Sequence, residues 1–536
     1  MLFVRLARKP QFSITPILRK TFVTDIALPN IPFFQKILCY AQAQPPTKPA
    51  IIDVNGSYTY RDIIKNVIQL RGLLLSKGGV SDSKEMRVAY LYPNGYDYVI
   101  AQCAVWAAGG IAVPLCITHP PTELEYAIKD SQSSLVLVHP QLEHLTSSIS
   151  GQFDKIVYAG PQEQYREFEV PKLYPMATSR RALIIYTSGT TEAQAQSLIS
   201  AWKWSDKDKI LHVLPLHHLH GILNALICAL YAGATVEMLP KFDAMYVWRR
   251  WTSPARDLTL FMAVPTIYSK LIQFYKTSLP PDAQLIATES CSQFRVMISG
   301  SASLPVPLRN EWKQISGGQV LLERYGMSEI GMALSNGYEA EKRVEGTVGL
   351  PLPGVEVRLI ADNGTDVTEE VDTPGEVQVK GPNVFKEYWN RPEATAKEFT
   401  EDGWFKTGDI AVREPSTKMF RILGRNSVDI IKSGGYKISA LEIERELLAH
   451  PDIADVAVVG VEDAEWGQRV GAVVVPMHKN TAITLNVLRE FAKDRLASYK
   501  LPTLLKLYDD ALPRNAMGKV NKKELLKTAF PSQKNN

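Results

Sequence analysis

What the sequence lacks narrows its class. Only five cysteines occur in 536 residues, Cys39, Cys103, Cys116, Cys228 and Cys291, and they are widely scattered. No pair has redox or metal-ligand spacing, which excludes a disulfide scaffold and predicts reduced, mostly buried thiols. There is no internal repeat and no long low-complexity tract. No stretch makes a convincing membrane span. The charge-free run from Tyr98 to Ile117 contains Gly109, Gly110 and Pro114 and reads as an Ala-rich helix turning into a short strand. Acids are missing from the start: Arg5, Arg8, Lys9, Arg19 and Lys20 precede the first acid, Asp25.

That basic, acid-free opening, with Leu2, Phe3, Val4, Leu6 and Phe12 between the charges, fits a mitochondrial transit peptide over residues 1–24, and hence a mitochondrial matrix location. No long apolar core follows the first charges, which argues against a secretory signal. Setting the leader aside leaves the remainder nearly neutral, because the whole chain carries only +4. A body with so little net charge has no electrostatic footprint for nucleic acid. With 45% hydrophobic and 22% charged residues, the chain is that of a soluble globular protein with a large core divided among several units.

Ile51 to Asp53 and Ser57 to Tyr60 predict a hairpin around Asn55-Gly56, and Tyr60 to Lys77 a helix. Strand candidates at 87–92 and 135–138 alternate with helices, and the rhythm recurs from Ile210 to Leu322, which predicts parallel sheet under helical cover. From about 340 to 424, short alternating stretches punctuated by Pro353-Gly354, Asn363-Gly364 and Pro374-Gly375 read as a β-rich unit. Beyond it, a mixed pattern over 427–530 predicts a separate small domain.

Five segments carry candidate chemistry. In Leu183 to Thr191, an apolar strand empties into hydroxyls around one glycine, where backbone N–H groups and side chains can face an anion. It is not a Walker loop, because no Gly-Lys-Ser/Thr follows. In Glu323 to Glu329, Gly326 permits close backbone approach and Glu329 supplies a hard oxygen suited to Mg²⁺ held with phosphates. Asp409, after Thr407-Gly408, can accept from ribose hydroxyls. Arg425 and Lys432 flank Asp429, and Lys519 sits on a Gly-preceded turn from which it can neutralise charge on a phosphoryl transition state. Each segment alone has an ordinary structural explanation.

Together, in this order, they resemble the adenylate-forming superfamily of acyl-CoA synthetases, luciferases and adenylation domains, from about residue 35 to 527. The resemblance implies an α/β fold: a large N-terminal region (35–424) of two α/β subdomains plus a small β-rich subdomain, then a small mobile α+β C-terminal domain. It implies ATP, Mg²⁺ and coenzyme A as co-reactants, with a carboxylic acid attacking the α-phosphate and CoA then displacing AMP. Carried onto this sequence, Thr187, Ser188, Gly189, Thr190 and Thr191 would hold the outer phosphates. Gly300, Ser301, Ala302, Glu323, Arg324, Tyr325, Gly326, Met327, Ser328, Asp409 and Arg425 would surround the nucleotide, with Tyr325 on adenine. Glu329 would bind Mg²⁺, Lys519 would serve adenylation, and the Gly434, Gly435, Tyr436 region would enter for the thioester step, about a hinge near Ser427.

LPLHHLHG at 214–221, MISGSASLP at 297–305 and LLERYGMSEIGMALS at 321–335 are similar to the malonyl-CoA synthetase branch, which is mitochondrial in animals. Other short or medium-chain acids are the alternative. A diacid keeps one carboxylate that needs a buried cation or several donors. Arg295, helped by Ser299, Ser301 and His220, is the candidate; a strand-end Arg in solvent is the equal alternative. The histidines at 212, 217, 218 and 220 lack the spacing of a zinc site.

The sequence departs from the family at one place. Where the family continues its loop as Gly-x-Pro-Lys-Gly, Thr191 is followed at once by Glu192 and the later part of the expected helix. Two glycines and one positive charge that would face phosphate are absent, which predicts weakened ATP handling. A mis-joined or alternatively spliced product, or a pseudoenzyme that binds acyl or CoA ligands without adenylating, would both carry this mark. A luciferase-like oxygenase shares the motifs but not the leader.

Overall fold

In the computed structural model the described residues are 26–43, 47–77, 85–151, 153–160, 168–185, 192–434, 436–478, 483–514 and 520–531. The leader, Thr187 to Thr191, Gly435 and Lys519 therefore lie outside them.

A nine-stranded sheet organises the large region. Its parallel centre runs Leu322–Met327, Val296–Ser299, Leu260–Ala263, Lys209–His212, Thr235–Met238, Pro49–Asp53. The central strands are buried along their length, and Leu260–Ala263 and Val296–Ser299 accordingly read as apolar runs without alternation, whereas Thr235–Met238 carries a buried Thr235 and Glu237. A second, parallel sheet holds Ile111–Pro114, Arg87–Leu91, Leu135–Val138 and Asp154–Val157. A four-stranded antiparallel sheet from Glu356 to Arg425 forms the β-rich unit. Beyond Arg425 a five-stranded sheet has its own core around Ile431, Ile443, Val458 and Leu488. The predicted α/β class is the one observed. The Asn55-Gly56 hairpin forms, with Asp53 opposite Gly56, and the helix at Tyr60–Lys77 has the predicted bounds. Among the described residues no helix is long and apolar enough to cross a membrane; the Tyr98–Ile117 run supplies the buried helix Tyr96–Ala107 and the strand Ile111–Pro114.

One expectation fails in part. The strand expected from Leu183 gives only a single parallel bridge, Leu183 to Ala112. The next helix, Glu192–Ala201, is fixed from its first turn, where Gln194 Oε1 accepts from the Met332 N–H at 2.6 Å. Ser197 Oγ donates to the Pro353 carbonyl at 2.9 Å, holding its middle as well.

Candidate active site

Ligands of open α/β sheets bind beyond the carboxyl ends of parallel strands. Here those ends are His212, Ala263, Ser299 and the turn after Leu322–Met327. The last strand folds back through Gly331–Ser335 as a tight hairpin. Gly326 is required there, because a Cβ would sit 2.0 Å from the Gly331 carbonyl oxygen. The pleat sends alternate side chains of this strand to opposite sides, and two half-sites result.

On one side Tyr325 Oη donates to Asp409 Oδ2 at 2.6 Å, and Arg425 Nε lies 3.3 Å from Asp409 Oδ1. Asp409 and Arg425 face each other across adjacent strands, so sheet register fixes the pair. Burial, then the Asp409 charge, pushes the Tyr325 phenol up, so it stays a donor. Glu329 Oε1 accepts from Tyr388 Oη at 3.1 Å. A carboxylate has more acceptor sites than that one bond uses, which suits a hard cation shared with phosphates. Glu323 shares this side of the strand but points toward Arg309, 3.6 Å away.

On the other side Arg324 is 5% exposed. Its Nη2 donates to Ser301 Oγ over a long 3.4 Å, its Nε has no partner, and among the described residues no carboxylate pairs with it. Burial lowers its pKa to about 10, so it remains a cation at neutral pH. Gly300 makes room for it, since a Cβ there would meet Arg324 Cζ at 2.4 Å. Ser301, held at φ +67, meets His220 Nδ1 at 3.2 Å. Burial, then the Arg324 charge, holds His220 well below the usual histidine range, so it is neutral. His220 Nε2, Ser299 Oγ and both amide atoms of Asn224 are buried without partners among the described residues. Asn224 follows His220 by one turn of a π-helix, His220–Ile227, a rare geometry that recurs at functional sites. Buried polar groups left unpaired are uncommon, and a cluster of them around an unpaired cation is a receptor for an anion.

Arg295 does not join this group, which corrects the expectation placed on it. It sits at the opposite end of its strand from Ser299, and its guanidinium grips Asp208 at 2.7 and 2.8 Å and the Trp202 carbonyl at 2.8 Å. Arg324, expected at the nucleotide, lies beside Ser301 and Gly300, two of the residues expected around the nucleotide, and through Ser301 next to His220. Strand alternation carried that signal: Glu323 and Tyr325 share a side that Arg324 cannot. Tyr388 and Asn224 were missed; only the four-residue step from His220 pointed to Asn224. Ala302 is exposed near this turn, and Met327 and Ser328 are partly buried in the hairpin. Gly434 takes φ +54 and donates to the Trp466 carbonyl, and Tyr436 stacks on Tyr499 at 4.2 Å. Among the described residues no cluster of His, Cys, Asp or Glu could hold a metal.

The hairpin thus lies between two polar clusters, the Tyr325–Asp409–Arg425 series on one side and Arg324 with Ser301, His220 and Asn224 on the other, an arrangement suited to an enzyme that joins a nucleotide to an acid. The chain belongs to the AMP-binding enzymes: that family's model matches residues 39–389 and the model of its C-terminal domain matches 442–519. It is 46% identical to the mitochondrial malonate–CoA ligase of Mus musculus, over 94% of this chain and 91% of that one, and 42% identical to that of Homo sapiens, over 94% and 93%. Among solved structures it is similar to ATP-bound MatB from Rhodopseudomonas palustris (TM-score 0.78, 30% identity, 94% of this chain and 99% of that one). A malonyl-CoA ligase with methylmalonyl-CoA and AMP bound superposes less well (TM-score 0.60, 33% identity, 89% and 99%).

Proposed function

We propose that this chain is a malonate–CoA ligase of the mitochondrial matrix. One malonate carboxylate attacks the α-phosphorus of ATP, the bond to pyrophosphate breaks, and malonyl-AMP forms. The CoA thiol then attacks the acyl carbon, and the bond to AMP breaks. Asp409, Arg425 and Tyr325 bind the nucleoside and Glu329 the Mg²⁺, while Thr187 to Thr191 and Lys519 serve the phosphates and the Gly434–Tyr436 region the thioester step. The observation that carries the diacid is Arg324: a buried guanidinium with no carboxylate partner among the described residues supplies the charge a second carboxylate needs. The malonate–CoA ligases among its relatives support the same reading.

A second reading, an impaired ligase, rests on the junction of Thr191 with Glu192 and on the strand reduced to Leu183. Malonate-dependent ATP–pyrophosphate exchange separates the two, run on the chain as it stands and with Gly-x-Pro-Lys-Gly restored after Thr191. Loss of phosphate donors on this scale lowers turnover by about 10²-fold or more. Exchange only in the restored form establishes the impaired ligase, equal exchange in both the intact one, and silence in both removes the malonate assignment.

A further inference from the structure

The small domain contains a buried charge cluster that none of the roles above uses. Lys522 opens the last helix, Lys522–Ala529, and its side chain is 10% exposed. Its Nζ lies 2.6 Å from Asp429 Oδ1 and 2.7 Å from Glu444 Oε1. The two carboxylates reach in different directions. Glu444 Oε1 accepts from the Val458 N–H at 2.7 Å, inside the small domain. Asp429 Oδ2 accepts from the Arg425 N–H at 3.1 Å, across the turn that joins the small domain to the large one. The same turn is closed by the Asp429 N–H on the Arg425 carbonyl at 2.8 Å. Gly424 allows this closeness: a Cβ there would lie 2.4 Å from Asp429 Cβ. Arg425 in turn meets Asp409, which meets Tyr325. One unbroken series of contacts thus runs from the nucleoside end of the site, through the interdomain turn, to the residue that begins the last helix. Lys519 is three positions before Lys522 in the sequence.

We infer that Lys522 is a positioning residue: by holding Asp429 it fixes the start of the last helix relative to the interdomain turn, and so relative to Arg425 and Asp409, for the acyl-adenylate step. A buried amine with two carboxylates is well placed for this, because neither partner can leave without stranding charge. The Asp429 arm faces the turn and the Glu444 arm only the domain interior, so the two arms have separable consequences. The inference rests on the ligase reading for its catalytic meaning.

The test uses the full chain with Lys522→Arg, Lys522→Met, Asp429→Asn and Glu444→Gln. Two half-reactions are followed: malonate-dependent pyrophosphate exchange, and malonyl-CoA formation from supplied malonyl-adenylate. Lys522→Met and Asp429→Asn are expected to lower exchange kcat about tenfold or more, with KM values and the supplied-adenylate step held within about twofold. Lys522→Arg restores exchange to within about threefold, and Glu444→Gln lowers Tm but spares exchange. Both half-reactions falling together, or Glu444→Gln losing as much exchange as Asp429→Asn, overturns the inference. If the unaltered chain shows no pyrophosphate exchange, the variants are made in the form with Gly-x-Pro-Lys-Gly restored; if that form is silent too, the ligase reading fails separately and amide hydrogen exchange with AMP bound decides. Faster exchange at 512–521 in Lys522→Met and Asp429→Asn, with Ile453–Asp463 unchanged, supports the inference; unaltered exchange at 512–521 overturns it.

Discussion

At the scale of single residues, Arg324 and Arg295 show how burial and partnership separate two arginines of one sheet. Arg295 is neutralised by Asp208, whereas Arg324 holds an uncompensated charge among orphaned donors. Arg324→Met is therefore expected to lower kcat/KM for malonate about 10- to 100-fold, the loss of one charge-assisted hydrogen bond of about 1.5–3 kcal/mol. Activity with butyrate, which has no distal carboxylate, is expected to hold or rise. Parallel losses on both acids would place Arg324 on the nucleotide instead. The pocket histidines give a pH signature. Burial lowers His212 from 6.5 to about 4 and holds His220 well below the usual histidine range. The unfolded chain thus takes up protons at pH values where the folded one does not. Stability is full above about pH 6.5 and falls as pH drops toward 4, by up to about 1.4 kcal/mol per pH unit for each histidine. His212→Asn is expected to narrow the difference in Tm between pH 7 and pH 5, although it also removes a contact to the Gly221 carbonyl. An unchanged difference would mean that His212 is protonated in the fold. Arg324 was readable from strand alternation, but Asp208 as the owner of Arg295 was not, since 87 residues separate them.

At the scale of elements, the hairpin Leu322–Ser335 turns one strand into two half-sites, and its geometry depends on glycine. Gly326→Ala drives a methyl into the Gly331 carbonyl, and Gly331 itself holds φ +55 with Gln194 Oε1 only 2.1 Å from where a Cβ would be. Overpacking a backbone contact of this kind costs about 1–3 kcal/mol. Gly326→Ala is expected to lower Tm and to disturb Tyr325 and Arg324 together, so nucleotide and malonate KM rise in concert. A rise in one alone would show that the half-sites are independent. Local elements of this kind were legible because their signals are local. Asn55-Gly56 marks a hairpin and Val296–Ser299 an apolar strand whatever surrounds them. The failure at Leu183 is instructive for the opposite reason. Its apolar side chains do suit a strand, but pairing depends on what lies beside it, and among the described residues Leu183 bridges only to Ala112, a tertiary matter that a local pattern does not carry.

At the scale of the molecule, the small domain touches the large one through polar, separable contacts. Ser439 Oγ donates to the Leu423 carbonyl, and Lys437 Nζ lies 2.6 Å from Asp362. Between the two regions lies a cavity of about 280 Å³ lined by Arg421, Lys437, Arg445 and Lys500 among others. Interfaces this polar and this wet permit relative domain motion, whereas a continuous apolar seam would resist it. Lys437 follows Tyr436, in the segment proposed to enter for the thioester step, so its pair with Asp362 holds that segment away from the hairpin. Asp362 is 64% exposed, which limits the pair to about 0.2–1 kcal/mol. Asp362→Asn is thus expected to raise the rate of the supplied-adenylate step relative to pyrophosphate exchange by about 1.4- to 5-fold, a rise that high salt reproduces in the parent chain by screening the pair. A ratio unchanged by both the substitution and salt would show that the Lys437–Asp362 pair does not bias the two arrangements, leaving the Asp429–Lys522 contact and the interdomain turn to set them.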